Sequence, residues 1–208
     1  MEQNNNMNVT SNSIEAGVNE PESKMKKFWR DGLEFVKFAL IALAIVIPIR
    51  MYIAQPFIVS GQSMVPTFQN SDYLIIDEIS YLLGTPHRGD VIVFHYPTDH
   101  SKYLIKRIIA LPNENVQIKN GKVTVFPCDK IADCKGIEMK EPYINETFST
   151  TDNYTTGDNE YFVMGDNRNR SSDSRVWGLL NRKDIVGRAF IRLLPLTHIS
   201  YLPGAFTQ

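Results

Sequence analysis

The sequence predicts a mainly β protein in which a single N-terminal transmembrane helix precedes one antiparallel, barrel-like β domain. Three observations predict it. An apolar run crosses roughly Leu33 to Ala54, with no charge between Phe38 and Ile49. After it come short apolar segments bounded by turns, alternating with period two and rich in β-branched and aromatic residues. No stretch beyond residue 60 carries a helical periodicity of comparable strength.

Residues 1–32 read as a cytoplasmic tail. Asn, Ser and Glu dominate its first 23 positions, which hold too few large apolar side chains to offset the entropy of ordering, so most of it is expected to be disordered. Lys24, Lys26, Lys27 and Arg30 then form a basic cluster. The segment 33–54 reaches the length of about 20 residues that a hydrocarbon core requires, provided Lys37 and Arg50 snorkel. The basic excess ahead of it places the N-terminus in the cytoplasm and 55–208 outside, and Pro48 is tolerated near the outer end. A cleavable leader would have a shorter apolar core and an Ala-x-Ala-like site, which Tyr52-Ile53-Ala54-Gln55 does not supply. A buried helix of a soluble protein would keep a polar face, and this run has none.

Subtracting tail and anchor from 208 residues leaves about 150, enough for one domain with its own core. Strands are expected at 55–60, 73–77, 91–95, 103–110, 116–119, 122–126, 161–164 and 185–194, with Asn120-Gly121 as a hairpin turn. The polar segment 145–160 reads as an exposed loop. A net charge of −1 argues against nucleic acid as a partner. Cys128 and Cys134, outside the membrane, leave both a small disulfide loop and a pair of thiols open. With no further Cys or close His they make a poor metal site.

Ser63 is the one strong candidate nucleophile, with Gly61 two residues before it and Pro66 three after. A serine hydroxyl needs a base to take its proton. His87, His95, His100 and His198 are all eligible for a Ser-His-Asp site, since that geometry is not tied to sequence order, but none has distinctive surroundings. Lys106 differs, because strand alternation puts it on the face of Leu104 and Ile108 and turns Arg107 the other way. Burial there disfavours the ammonium and lowers the pKa from about 10.4, making a neutral amine available as a base. A lysine snorkelling at a sheet edge is the other reading, and strand pattern alone leaves both open. The stretch from Gly165 to Gly178 packs Asp166, Arg168, Arg170, Asp173 and Arg175 into one loop, which reads as an ion-paired support for a site.

Five stretches together resemble the bacterial type I signal peptidases, membrane-bound Ser-Lys proteases: SGQSMVPTF (60–68), DYLIIDEISY (72–81), RGDVIVFHYP (88–97), YLIKRIIALPNENVQI (103–118) and GDNRNRSSDSRVWG (165–178). The resemblance runs from Lys24 to about Leu194. It implies Ser63 as nucleophile and Lys106 as general base. Ser171 would hydrogen-bond the lysine amine, while Asp166, Asp173, Arg175 and Arg107 would brace the site, with Arg107 pairing Asp166. It implies shallow pockets for small residues at −1 and −3 of a signal peptide, lined by Phe57, Val59, Met64 and Phe68 from one side. Leu74, Val93, Leu104 and Ile105 would complete them, and an extended substrate would add beside the strands near Phe57–Val59 and Val93.

The implied partners are signal peptides of exported preproteins and membrane lipid, and the implied place is the bacterial plasma membrane. No metal or organic cofactor is implied. The Ser63 backbone N–H would be one oxyanion donor; Gly61 stands where some members carry a serine that supplies the second, leaving Ser60 or a water. Asn113 stands where the family usually has Gly. The contrasting readings are a soluble self-cleaving Ser-Lys protein, which the apolar run disfavours, and an inactive membrane-tethered β domain that only binds exported proteins.

Overall fold

The computed structural model describes residues 24–48, 54–128, 131, 134–144 and 146–205. The chain divides into two compact units, Met1–Ile45 and Val46–Gln208. The first contributes most of helix α1 (Lys24–Pro48), whose large apolar side chains, among them Phe35, Phe38, Leu40 and Ile41, are exposed around the helix. Among the described residues no helix is long and apolar enough to cross a membrane. Asp31, Glu34 and Lys37 interrupt the earlier turns of α1, and its uncharged part runs from Phe38 to Pro48. The expected continuation over 49–53, including Arg50, and the tail 1–23 lie outside the described residues.

The second unit is antiparallel β, as expected. Its larger sheet contains β1 (Ala54–Ile58), β2 (Tyr73–Asp77), β3 (Val91–Tyr96), β4 (Asp99–Ala110), β9 (Glu160–Met164), β10 (Leu180–Asn181), β11 (Ile185–Leu194) and β12 (Ser200–Tyr201). Their order is β1-β2-β11-β3-β4-β9-β10, with β12 on β11. A smaller sheet, ordered β7-β6-β5-β8, is formed by β5 (Asn115–Lys119), β6 (Lys122–Phe126), β7 (Ile137–Glu138) and β8 (Asp152–Thr155). All eight expected strands are present, four of them longer than the pattern suggested.

Alternation decides which side chains meet. From β3, Ile92 and Phe94 pack with Ile108 and Val163 in one core, while Val91 and Val93 turn to a second with Leu74 and Ile76. The smaller sheet buries Val116, Ile118, Val123 and Val125 against Ile109, Ala110, Phe162 and Met164 of β4 and β9. β4 therefore lies between β3 and β9 with apolar cores on both faces.

Two expectations change and one open choice is settled. The loop assigned to 145–160 contains β8, which pairs with β5; its side chains are largely exposed, so backbone pairing rather than hydrophobic alternation makes it a strand. Among the described residues two short α-helices follow residue 60, α2 (Ile79–Leu83) and α3 (Ser174–Trp177), each too brief to show a period. Cys128 and Cys134 form a disulfide. Asn113 adopts φ +61°, a left-handed conformation that Asn tolerates better than other side-chain-bearing residues, which accounts for its standing in a glycine's place.

Gly187 in β11 fills a gap that admits nothing larger: a Cβ there would lie 2.5 Å from the Asp77 carbonyl oxygen and 2.8 Å from Ile76 Cγ2. Gly187→Ala is expected to destabilise the domain by about 1–3 kcal/mol, read from urea or thermal unfolding, because backbone must yield.

Candidate active site

Ser63 sits in the turn-rich connection between β1 and β2. The two ends of that connection are tied by Val59 N–H to Asp72 O (2.9 Å) and Ser71 N–H to Val59 O (2.8 Å). Buried Met64 and Phe68 anchor it in the core from below. Gly61 permits the sharp entry, at φ +99°, and its N–H donates to Asn70 Oδ1. The turn is thus held on three sides while the Ser63 hydroxyl remains at a pocket wall.

Lys106 meets it there. Its Nζ donates to Ser63 Oγ at 2.8 Å and to the Ile105 carbonyl at 2.8 Å, and the residue is only 2% exposed. The sheet-edge alternative is excluded, since β4 is a central strand. Burial lowers the Lys106 pKa to about 8, even though the negative charges of Asp173 and Asp166 pull it up. The hydrogen bond recorded at Ser63 Oγ is to this amine; none of the four histidines bonds it.

Arg107, the next residue, is 1% exposed on the other face. Its Nε and Nη2 hold Asp166 in a two-point pair at 2.8 and 2.6 Å, and Nη1 donates to the carbonyls of Gly89 and Gly204. The Tyr143 ring covers the guanidinium at 4.0 Å. Asp166 also accepts from the Thr67 hydroxyl, so the ion pair reaches back to the turn that carries Ser63.

Asp173 caps α3 and accepts from the Gly165 N–H at 3.0 Å. It is gripped by Arg175 Nε and Nη2, both at 2.8 Å, and Arg175 donates onward to the Arg168 carbonyl. The same loop touches the Ser63 segment directly, because Asn167 N–H donates to Ser63 O at 3.0 Å. Gly165 is closely enclosed, and a Cβ there would meet Ser171 and lie 2.5 Å from the Ser63 carbonyl oxygen.

One expected bond is absent. Ser171 lies beside this Gly165 contact, but its buried hydroxyl has no hydrogen-bond partner among the described residues and does not reach Lys106, whose amine is turned to Ser63 and Ile105 instead.

A pocket of about 100 Å³ opens beside the Ser63–Lys106 pair. Of the expected lining, Phe57, Val59, Leu74, Val93, Leu104 and Ile105 form its walls, whereas Met64 and Phe68 lie beneath in the core. Ile58, Ser60 and Tyr103 also line it and were missed. Tyr103 was legible in principle, because alternation along β4 sets it on the face of Ile105.

A serine hydroxyl bonded to a buried, pKa-lowered amine beside a narrow apolar pocket can run acyl transfer with the amine as base. That is the chemistry of a Ser-Lys hydrolase. A family model described as signal peptidase, peptidase S26, matches residues 32–194, and the chain belongs to that family. It is 35% identical over 187 residues to the probable signal peptidase I-1 of Synechocystis sp., covering 86% of this chain and 90% of that one. It is 35% identical over 181 residues to signal peptidase I P of Bacillus subtilis subsp. natto, covering 81% and 92%. A crystal structure of a signal peptidase I from Enterococcus faecalis V583 aligns with a TM-score of 0.42 at 27% identity, over 50% of this chain and 96% of that one. This limited structural overlap adds nothing to the family assignment.

Two outcomes are expected from the buried cations. Asp166→Ala leaves Arg107 buried without its counter-charge and should cost about 3–5 kcal/mol in unfolding free energy, with the double variant Arg107→Met/Asp166→Leu losing less. Lys106 acts in the opposite sense. Its folded pKa of about 8 lies below the ordinary 10.5, so between these values the unfolded chain binds more protons and stability rises with pH. Lys106→Met should therefore be more stable than wild type at pH 7, with the gap closing towards pH 10 in thermal unfolding.

Proposed function

We propose that this protein is a membrane-anchored serine endopeptidase that removes signal peptides from exported preproteins, with Ser63 as nucleophile and Lys106 as general base. The observation that carries the reading is the 2.8 Å contact from the buried Lys106 amine to Ser63 Oγ, in a chain of the signal peptidase family. Neutral Lys106 takes the Ser63 proton as Oγ attacks the carbonyl after the −1 residue. The proton passes to the departing amine, which becomes the N-terminus of the mature protein. Water then attacks the acyl ester, with Lys106 again as base, and restores the serine. The Ser63 N–H donates to the developing oxyanion, and Ser60, at the pocket wall, is the candidate for a second donor.

Asp166, Asp173, Arg175 and Arg107 hold the site's frame and leave substrate contact to the pocket. Ser171, packed against Gly165 beside the dyad, supports the site through packing in this state. The narrow apolar pocket supports selection of small side chains at −1 and −3, presented by a peptide lying extended along Phe57–Val59.

The membrane anchor over 33–54 and the extracytoplasmic placement of 55–208 belong to the same proposal. Their support is the apolar surface of α1, exposed all round, and the basic residues at its start.

Ser63→Ala and Lys106→Ala should each abolish cleavage of a labelled preprotein by the detergent-solubilised full chain while leaving the β domain folded by circular dichroism. His95→Ala should retain cleavage; an active Lys106→Ala enzyme would sink the mechanism. Since the reactive amine must be neutral, kcat/KM should rise about tenfold per pH unit below its pKa of about 8 and then level off. A profile flat from pH 6 to 9 would exclude Lys106 as base.

A further inference from the structure

The pocket has an outer end that the dyad does not explain. Along one face of β3 and β4 the directly opposed pairs are Val91 with Arg107, Val93 with Ile105, and His95 with Tyr103. The middle pair forms pocket wall; the last pair stands one step further from the dyad and brings Tyr103 to the rim. Tyr103 is 48% exposed, yet its ring is held from two sides. Phe57 of β1 meets it edge-on at 5.1 Å between centroids, and the His95 ring lies against it at 4.5 Å. His95 is fixed in turn, with its Nδ1 at 2.9 Å from the His100 carbonyl oxygen.

We infer that Tyr103 is a specificity-determining residue, the end wall of the pocket that limits the side chain accepted at −3, and that His95 is a positioning residue that holds it upright. This deepens the proposed function and rests on that reading.

The dimensions favour −3. Successive same-face side chains of an extended peptide are about 7 Å apart, while Tyr103 and Lys106 are three residues apart along β4, or about 10 Å. With the −1 carbonyl at Ser63, the −3 side chain points at the Phe57–Tyr103 corner. An aromatic wall pinned by two other rings cannot swing away at low cost, as a lone exposed tyrosine could. Removing it should lengthen the pocket.

The test measures kcat/KM of the solubilised full chain on preproteins with Ala at −1 and Ala, Val, Leu or Phe at −3. Wild type should prefer Ala and Val. Tyr103→Ala should raise the Leu-to-Ala ratio at least about tenfold, the scale on which an apolar pocket discriminates. His95→Ala should move the same ratio less far in that direction, and Tyr103→Phe should keep the wild-type ratio. Tyr103→Trp should move it the other way, lowering Val relative to Ala, so the inference stands or falls even if the alanine variant does not fold. A merely structural role would lower all substrates together and leave the ratios unchanged, and that result overturns the inference. Failure of wild type to cleave any of the preproteins would instead overturn the proposed function, so the two failures are distinct.

Discussion

Two cations side by side in a doubly covered strand, Lys106 and Arg107, set the terms for the rest of the catalytic unit. Neither can be solvated, and the protein handles them by opposite means. Arg107 stays charged, so the fold must bring it a carboxylate, and Asp166 is supplied from a loop far along the chain. Among the described residues no carboxylate contacts the Lys106 amine, and desolvation lowers its pKa to about 8. Under the proposed mechanism the two strategies could not be exchanged, because a carboxylate in contact with Lys106 would hold it protonated.

The support is built outwards from that strand. Asp166 joins Arg107 to Thr67 in the nucleophile turn, and Asp173 joins Gly165 to α3 and Arg175. Such pairs contribute little net stability once desolvation is counted. They fix register between segments distant in sequence, and a hydrogen bond between Ser63 and Lys106 needs that register.

Much of the fold was legible because strands with one buried face advertise it by alternation, as Val116 to Lys119 and Lys122 to Phe126 do, while Val91 to Phe94, buried on both faces, stand out as a short apolar run. β8 was not, since Asp152 to Thr155 bury almost nothing and pair through backbone groups that every sequence possesses. At the site, the alternation of β4 correctly put Lys106 with Ile108 and turned Arg107 away. What brought Ser63 to Lys106 was visible only through the resemblance, because no local pattern encodes a contact across 43 residues. The Ser171 bond expected from the same source is not formed; the amine donates to Ser63 and to the Ile105 carbonyl. Tyr103 was read only as the first residue of a strand, although its spacing from Ile105 already set the two on one face.

Gly165 links these layers. With no side chain, it lets the Ser171 segment lie directly against the backbone of Ser63. The nucleophile turn and the acidic loop are therefore fitted as lock plates are, each shaped against the other. A variation that moved one by half an ångström would have to move its counterpart too. Residues 60–68 and 165–178 act as one packed unit assembled from two distant segments, so a substitution that displaces one must displace the other.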